Sequence, residues 1–348
     1  MATIQDVAKL ANVSVSSVSN VLNGKTDRLR PDTFARVQEA IRKLGYRPNQ
    51  AARQLKTGRI PIIGLLVPST ANPFMGQLAS LTEAYAQKRY GYRILLSNTQ
   101  RDKQLESVMF DDLIAFGVGA AIIISSMSDE RHVESAIARG LAVVSYDRGV
   151  DPNARVPVDH VLPDNVQAGR LASQHLIDSG HTRLAFTMPA GRTISRSSKI
   201  EGFLDAAQAA GAGISAEVIE GRAVSKYGDS ELAELGFEMG SKIARSRKPP
   251  TGLVAVNDTF ALGLMAGIRS ANKRVPEDFS VIGMDDFAIS PFVYPALTSI
   301  AMPINEMAQA MVDRAVMRLE NPDTPAEEQR FAPVLMVRDS VSPPAKKR

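Results

Sequence analysis

The chain has 348 residues, 44% of them hydrophobic, with 41 Lys and Arg against 37 Asp and Glu and with no Cys or Trp. That length exceeds one ordinary domain and the apolar fraction can bury a proper core, so a small domain joined to a larger one is expected. The lack of Cys excludes disulfides, thiolate metal sites and a Cys nucleophile and fits a reducing cytoplasm, while no apolar run is long enough to span a bilayer and the start reads as a capped polar helix rather than a signal peptide.

Charge is spread unevenly. Residues 1–60 hold eleven Lys and Arg against four Asp and Glu, a balance of +7 that leaves −3 for residues 61–348 out of the chain total of +4. Neutralising phosphates supplies most non-specific affinity for nucleic acid, so the basic end points to a polyanion partner.

The stretch TIQDVAKLANVSVSSVSNVLNG, residues 3–24, reads as two short helices. Thr3 and Asp6 have the spacing of a capping box, and Ile4, Val7, Ala8 and Ala11 recur at helical intervals. Asn12 permits a tight turn and Ser14 offers a second N-cap. Val18, Val21 and Leu22 then form one stripe before Asn23 and Gly24 stop the helix. The rest of the second helix shows Ser16, Ser17, Ser19 and Asn20, short neutral groups that let another surface come close; a solvated polar face is the alternative. A third helix starts at Pro31 and carries Val37, Ala40, Ile41 and Leu44 up to Gly45. The following helical stretch, Asn49 to Leu55, buries so little that it is marginal alone in water.

From Ile60 the pattern changes. Apolar runs at 62–67, 93–98, 120–125, 141–146, 183–188, 252–256 and 279–284 read as buried parallel strands, with helical stretches between most of them. Two such units, roughly 61–162 and 163–290, suggest two lobes, and sheets of this kind place ligands at the carboxyl ends of their strands.

The stretch from Thr3 to Asn23, GYRPN at 45–49, AARQLKTGR at 51–59 and the following IIGLLVPSTANPF closely resemble the LacI/GalR family of bacterial transcription regulators. So do SGHTRLAF at 179–186, KIEGF at 199–203, VNDTFALG at 256–263 and RVPEDFSVIGMDD at 274–286, so the resemblance covers nearly the whole chain. It implies a small all-α helix-turn-helix head (1–48), a hinge helix and linker (49–60), and an α/β body of two Rossmann-like lobes in the periplasmic-binding-protein-like arrangement (61–342). Lobe 1 would hold 61–162 and 291–322, and lobe 2 would hold 163–290 and 323–342. Residues 343–348 form a basic tail, read as disordered.

The same resemblance implies site residues. The second helix would enter the major groove of operator DNA, with Val15, Ser16 and Asn20 in base-reading positions and Thr3, Ser14 and Asn23 beside them. Periodicity alone would bury Val15 with Val18. Leu55 matches the family's minor-groove wedge, and Lys56 sits close to phosphate; without the motif Leu55 would simply pack against the body. At the strand ends, Phe74, Ser126, Asp147, Arg148 and Asp258 fall where the effector is bound, although loop ends also carry such residues as caps or surface pairs. Asp258 matches the family's effector-binding Asp, and is otherwise a helix cap. One departure stands out: Lys199 occupies a position where many members have Arg, with Arg192 and Arg196 upstream. Lys lacks the bidentate fork of Arg, which leaves an anionic ligand open beside a sugar.

The function implied is an effector-responsive transcription regulator, a repressor. It would bind a pseudo-palindromic operator on double-stranded DNA as a homodimer, in the cytoplasm and on the nucleoid when bound, with a sugar or sugar derivative between its lobes. No membrane, cofactor or metal is expected. Enzyme readings are weak: His132, His160, His175 and His181 lack metal-ligand spacing, and no GxSxG, P-loop or strand-linked GxGxxG is present. The competing reading from another class is a soluble binding protein or a Rossmann-type sugar enzyme fused to a basic head. The first would need an export signal and the second a catalytic base with a partner.

Overall fold

The computed structural model describes residues 2–22, 29–46, 60–125, 131–146, 158–222 and 231–345. It divides into two compact units, residues 1–60 and 61–348, with separate cores.

In the first unit, α1 (Ile4–Ala11) begins at a capping box: the Thr3 hydroxyl accepts from the Asp6 backbone, and the Asp6 carboxylate accepts from the Thr3 backbone N–H at 2.8 Å. Those bonds to Thr3 hold the Asp6 carboxyl below its usual range. Asn12, at φ 49°, turns the chain in the left-handed region where a short amide is tolerated. Ser14 then caps α2 (Val15–Leu22), its hydroxyl accepting from Ser17 N at 3.1 Å. α3 (Pro31–Leu44) has Pro at its start and Gly45 at its end. Val7, Val18 and Val37, one from each helix, are all fully buried. Burying one such side chain contributes about 1.5 to 3 kcal/mol, which is what holds three short helices together.

The second unit opens with β1 (Ile60–Val67), α4 (Pro73–Tyr90), β2 (Arg93–Asn98), α5 (Lys103–Ala115), β3 (Val118–Ile124), α6 (Arg131–Ala138), β4 (Ala142–Tyr146) and β5 (Asp159–Pro163). Next come α7 (Asn165–Asp178), β6 (Arg183–Pro189), α8 (Ile194–Ala209), β7 (Ser215–Gly221), α9 (Leu232–Ala244), β8 (Gly252–Ala255), α10 (Asp258–Ser270), β9 (Ser280–Met284) and β10 (Thr298–Ala301). The chain ends with α11 (Ile304–Glu320), β11 (Glu328–Phe331) and β12 (Val334–Met336). These strands form two six-stranded sheets, ordered β11-β5-β4-β3-β1-β2 and β12-β10-β9-β8-β6-β7. In the second sheet every pair is parallel except β10 with β12. β3, β4, β8 and β9 are buried almost throughout, which is why their Val, Ile and Leu runs are continuous rather than alternating.

Two expectations are corrected. Strands β5, β7, β10, β11 and β12 are absent from the apolar runs read in the sequence. β5 buries Asp159 and His160, β7 is a half-exposed edge strand (SAEVIEG), and the last three are only three or four residues long. The lobe crossings also lie later than 290 and 322. β10 still belongs to the second sheet, whereas α11 packs on α4, β3, β4 and β5 of the first, so the chain crosses at 302–303. β11 joins the first sheet and β12 the second, which puts the last crossing at 332–333. The first crossing follows β5, and there Asp164 N donates to Phe331 O at 2.8 Å, tying two of the crossing strands together.

In lobe 2, α7 and α8 meet backbone to backbone. A Cβ on Gly169 would collide with the Lys199 carbonyl oxygen, and one on Gly202 with that of Val166. Glycine at both places lets the two helices approach closely, the first turn of α7 lying against the middle of α8.

Candidate functional site

The head presents α2. Val15 is 42% exposed while Val18, three residues on, is fully buried, so the apolar stripe ends at Val18 and Val15 faces outward. Ser14 and Ser16 are exposed and Asn20 half-buried. The helix has no acid in its first turn and no base in its last. It offers a neutral surface of short donors and acceptors with one apolar methyl pair, on a unit whose Lys and Arg lie elsewhere. Thr3 is exposed too, but its hydroxyl is engaged in the cap. Asn23, Leu55 and Lys56 lie outside the described residues.

The body presents a cavity between its two sheets, at the carboxyl ends of their strands. Lobe 1 contributes Asn72, Phe74, Met75, Arg101, Ile124 and Tyr146. Lobe 2 contributes Asn165, Ser195, Arg196, Lys199, Asn257 and Asp285. Five helices begin here, and side chains cap four of them: Asn72 accepts from Phe74 N, Asp164 from Gln167 N, Thr193 from Arg196 N and Asn257 from Phe260 N, while α9 starts uncapped at Leu232. First-turn or cap residues of α4, α7, α8 and α10 thus line the cavity, where a helix start carries partial positive charge. Arg196 is 5% exposed and donates from Nη1 to Gly191 O at 2.8 Å, and Arg101 donates from Nη1 to Ser125 O at 2.6 Å. The Lys199 Nζ lies 3.4 Å from Val256 O.

Of the effector residues expected from the sequence, Phe74 and Lys199 line this cavity. Ser126, Asp147 and Arg148 lie outside the described residues. Asp258 corrects the expectation. Its side chain is fully buried within lobe 2, where Phe287 N (2.9 Å), the Ser290 hydroxyl (2.6 Å) and the Ser299 hydroxyl (2.5 Å) donate to it. Burial raises its pKa to about 6 against the lowering effect of those bonds. The preceding residue, Asn257, is the one that borders the cavity, because adjacent side chains at the start of α10 point in different directions. Lys199 and Asp258 consequently do not face each other across the cleft: both belong to lobe 2, and the opposite wall is Asn72, Phe74, Arg101 and Tyr146. Asn72, Asn165, Asn257, Arg101, Tyr146 and Asp285 are not among the site residues expected from the sequence, although each ends or follows a strand and Asn72, Asn257 and Asp285 lie within the family strings at 62–74, 256–263 and 274–286.

The histidines are scattered. His181 is buried between Thr251, Ser280 and Ser342, with Nδ1 2.9 Å from Thr251 Oγ1 and Nε2 3.0 Å from Ser342 O. His132 Nε2 lies 2.7 Å from the buried Glu106 carboxylate on α5.

Comparison with known proteins matches residues 3–49 to the family described as bacterial regulatory proteins, lacI family, and residues 173–341 to a periplasmic binding protein-like domain. The ribose operon repressor of Escherichia coli (strain K12) is 31% identical, over 98% of this chain and 100% of its own length. The HTH-type transcriptional repressor PurR of Aliivibrio fischeri (strain ATCC 700601 / ES114) is 32% identical, over 98% and 99%. Among solved structures, the lac repressor dimer bound to operator and the anti-inducer ONPF shares the fold with a TM-score of 0.81 at 24% identity, covering 98% of this chain and 99% of that one. A LacI family regulator from Enterococcus faecium with bound ribose aligns with a TM-score of 0.69 at 25% identity, over 81% and 99%. With relatives of this identity spanning head and body alike, the chain belongs to the LacI family: it is a DNA-binding transcriptional repressor with an effector-binding body, and not an enzyme.

Proposed function

We propose that the chain acts as a cytoplasmic homodimer, located on the nucleoid when bound, that reads a pseudo-palindromic operator. In this reading α2 lies in the major groove, with Val15 against a thymine methyl and Ser16 and Asn20 on base edges. Thr3, Ser14 and Asn23 approach the backbone beside it. Residues 49–60 order as a paired hinge in the minor groove, where Leu55 wedges a base step and Lys56 meets phosphate. A sugar or sugar derivative occupies the inter-lobe cavity and changes lobe closure, which moves the hinge pair together or apart. Ser126, Asp147 and Arg148 join the cavity from their strand ends.

The observation that carries this reading is the outward turn of Val15 on a neutral, Ser-capped helix, a face with no packing partner among the described residues of its own unit. Exposed apolar side chains on both lobes support the dimer. Leu95 and Leu96 on edge strand β2 are 40% and 42% exposed, and Phe292 and Tyr294 after β9 are 81% and 91% exposed. A second copy would cover them, as the lac repressor neighbour is itself a dimer on its operator.

Selection of bound sequences from random DNA with the full chain tests the reading. The expected result is an inverted repeat protected on both half-sites, with preference at one position per half-site relaxed in Asn20→Ala. Enrichment of sequences without twofold symmetry would overturn the dimeric operator, and an unchanged preference in Asn20→Ala would remove that residue from base reading.

A further inference from the structure

Part of the cavity wall in lobe 2 is a turn with an uncommon backbone. Asp285, which lines the cavity, has φ 103°, and Asp286 after it has φ 51°. Residues with side chains seldom adopt these angles unless the surrounding structure holds them there. Asp285 N donates to Ile300 O at 2.9 Å, and Asp286 N donates to the Ser299 hydroxyl at 3.1 Å. That hydroxyl donates in turn to Oδ1 of the buried Asp258. The other oxygen of the same carboxylate, Oδ2, accepts from Phe287 N and from the Ser290 hydroxyl, at the start of the loop 287–297. The loop closes where Leu297 N donates to Ser290 O at 2.9 Å, and it exposes three large apolar side chains, Ile289, Phe292 and Tyr294. Gly283 of β9 leaves the space that Asp258 fills, since a Cβ there would collide with Oδ1. Arg338 adds a second bridge: its guanidinium lies 2.7 Å from the Asp286 carboxylate and donates to Leu297 O at 2.6 Å. Asp286, paired in this way, is the charged group that acts on Asp258.

We propose that Asp258 is a positioning residue of the effector response: its carboxylate holds the Asp285–Asp286 turn and the 287–297 loop as one piece, so a ligand that moves the cavity wall also moves the exposed patch of Ile289, Phe292 and Tyr294. A carboxylate is a rigid plane, so Oδ1 on the turn side and Oδ2 on the loop side cannot shift separately. Buried donors have no water to turn to, and they follow their acceptor. Asp258 thus serves the cavity from behind its wall, without touching the ligand. The proposal rests on reading the inter-lobe cavity as the effector site for what moves the turn; the coupling itself rests on this network.

The chain has no Trp, so Phe292→Trp places a single indole in the patch, and its emission reads the loop of the full chain without any ligand. In that background Asp285→Gly lets the turn relax, because glycine accepts a positive φ at no steric cost. The expected result is a shift of the emission maximum that falls to about half or less when Ser290→Ala or Ser299→Ala is also present, since residues of one hydrogen-bond network act non-additively. Each serine variant removes one hydroxyl, so the test does not depend on whether Asp258→Ala folds. Asp258→Asn, whose amide oxygen still accepts from Phe287 N, should keep the shift. It should lose the change in emission that the Phe292→Trp protein shows as Asp258 titrates at about pH 6. No shift with Asp285→Gly, a shift of the same size with and without the serine hydroxyls, or a pH profile that Asp258→Asn leaves unchanged overturns the proposal. The measurement contains no ligand, so these failures fall on the coupling alone. The reading of the cavity as the effector site would fail separately, by a sugar that still binds when Ser195→Trp fills it.

Discussion

Among the described residues each lobe buries one aspartate completely, and the two are compensated in different ways. In lobe 1, Asp159 of β5 is met by two guanidinium groups: Arg314 contacts Oδ1 and Arg318 donates to Oδ2 at 2.6 Å, while Glu327 N donates to Oδ1 at 3.0 Å. In lobe 2, Asp258 has only neutral donors, Phe287 N and the Ser290 and Ser299 hydroxyls. The first arrangement cancels charge with charge. It also joins β5 to α11 and the 322–327 loop, the segments that bring the chain back into lobe 1, since Arg318 donates to Pro322 O and Thr324 O as well. The second solvates a charge without cancelling it, and burial raises the pKa of Asp258 to about 6 as a result. Buried acids of the same type thus serve as a rivet in one lobe and as a titratable strut in the other.

The largest effect is expected where charge is left without its partner. Asp159→Ala strands Arg318, 5% exposed, and leaves Arg314, 6% exposed, with Glu327 as its remaining carboxylate. A loss of about 3 to 5 kcal/mol of unfolding free energy is expected for breaking a buried pair in this way. Urea denaturation followed by circular dichroism measures it, and a loss below about 1 kcal/mol would mean that the network adds nothing beyond surface pairing.

Asp258 should respond less to deletion and more to pH. Removing its carboxylate leaves three buried donors without an acceptor, and Asp258→Ala is expected to cost about 3 kcal/mol. Its folded pKa, raised to about 6 from 3.8, means that the folded state binds the proton more readily than the unfolded state does. The stabilisation from this group is therefore fully present below 3.8 and lost as pH rises through about 6. Asp258→Asn should flatten that part of the pH profile, and the difference between parent and variant should change by up to about 3 kcal/mol across it. A parallel profile for the two proteins would place the titration elsewhere.

His181, in the same lobe, should slope the other way. Burial lowers its pKa below 6.5, the Ser342 carbonyl opposing, so the folded state holds it neutral. Its stabilising contribution is present above 6.5 and is lost as pH falls toward the lowered folded value. His181→Gln should therefore gain stability relative to the parent as the solution is acidified from neutrality, and a relative loss would show that the imidazole is charged in the folded protein.

The same contrast shows what could be read in the sequence. β3, β4, β8 and β9 were legible because both of their faces are buried and every residue is free to be apolar. β5 was not, because Asp159 is offset by arginines more than 150 residues away in the chain, a compensation that no local pattern displays. Phe74 and Lys199 were legible as cavity residues through their family motifs. Asn72 and Asn257 were hidden by their second role as helix caps, which accounts locally for an Asn at each place. Asp258 was misplaced for a geometric reason: a strand-end position says where the backbone is, but not which of two successive side chains turns toward the ligand.

The smallest effect is expected in the head, where Val15 and Val18 repeat the contrast between two residues of one type. Three positions along a helix ordinarily share a face. Yet Val18 is fully buried against α1 and α3, whereas Val15, in the first turn just after the Ser14 cap, is 42% exposed. Val18→Ala removes two buried methyl groups and should cost the head about 2 kcal/mol of stability while leaving its base preference unaltered. Val15→Ala should leave the melting temperature in place, because surface substitutions away from packing contacts usually stay within about 0.5 kcal/mol. If Val15 meets a thymine methyl, its loss should weaken binding to the selected operator by about 1 kcal/mol, and the deficit should disappear when that thymine is replaced by cytosine. Anisotropy titration of both variants against the two duplexes reads this directly. An equal deficit on both duplexes would assign Val15 to the general approach of the helix to the groove and leave base reading to Ser16 and Asn20.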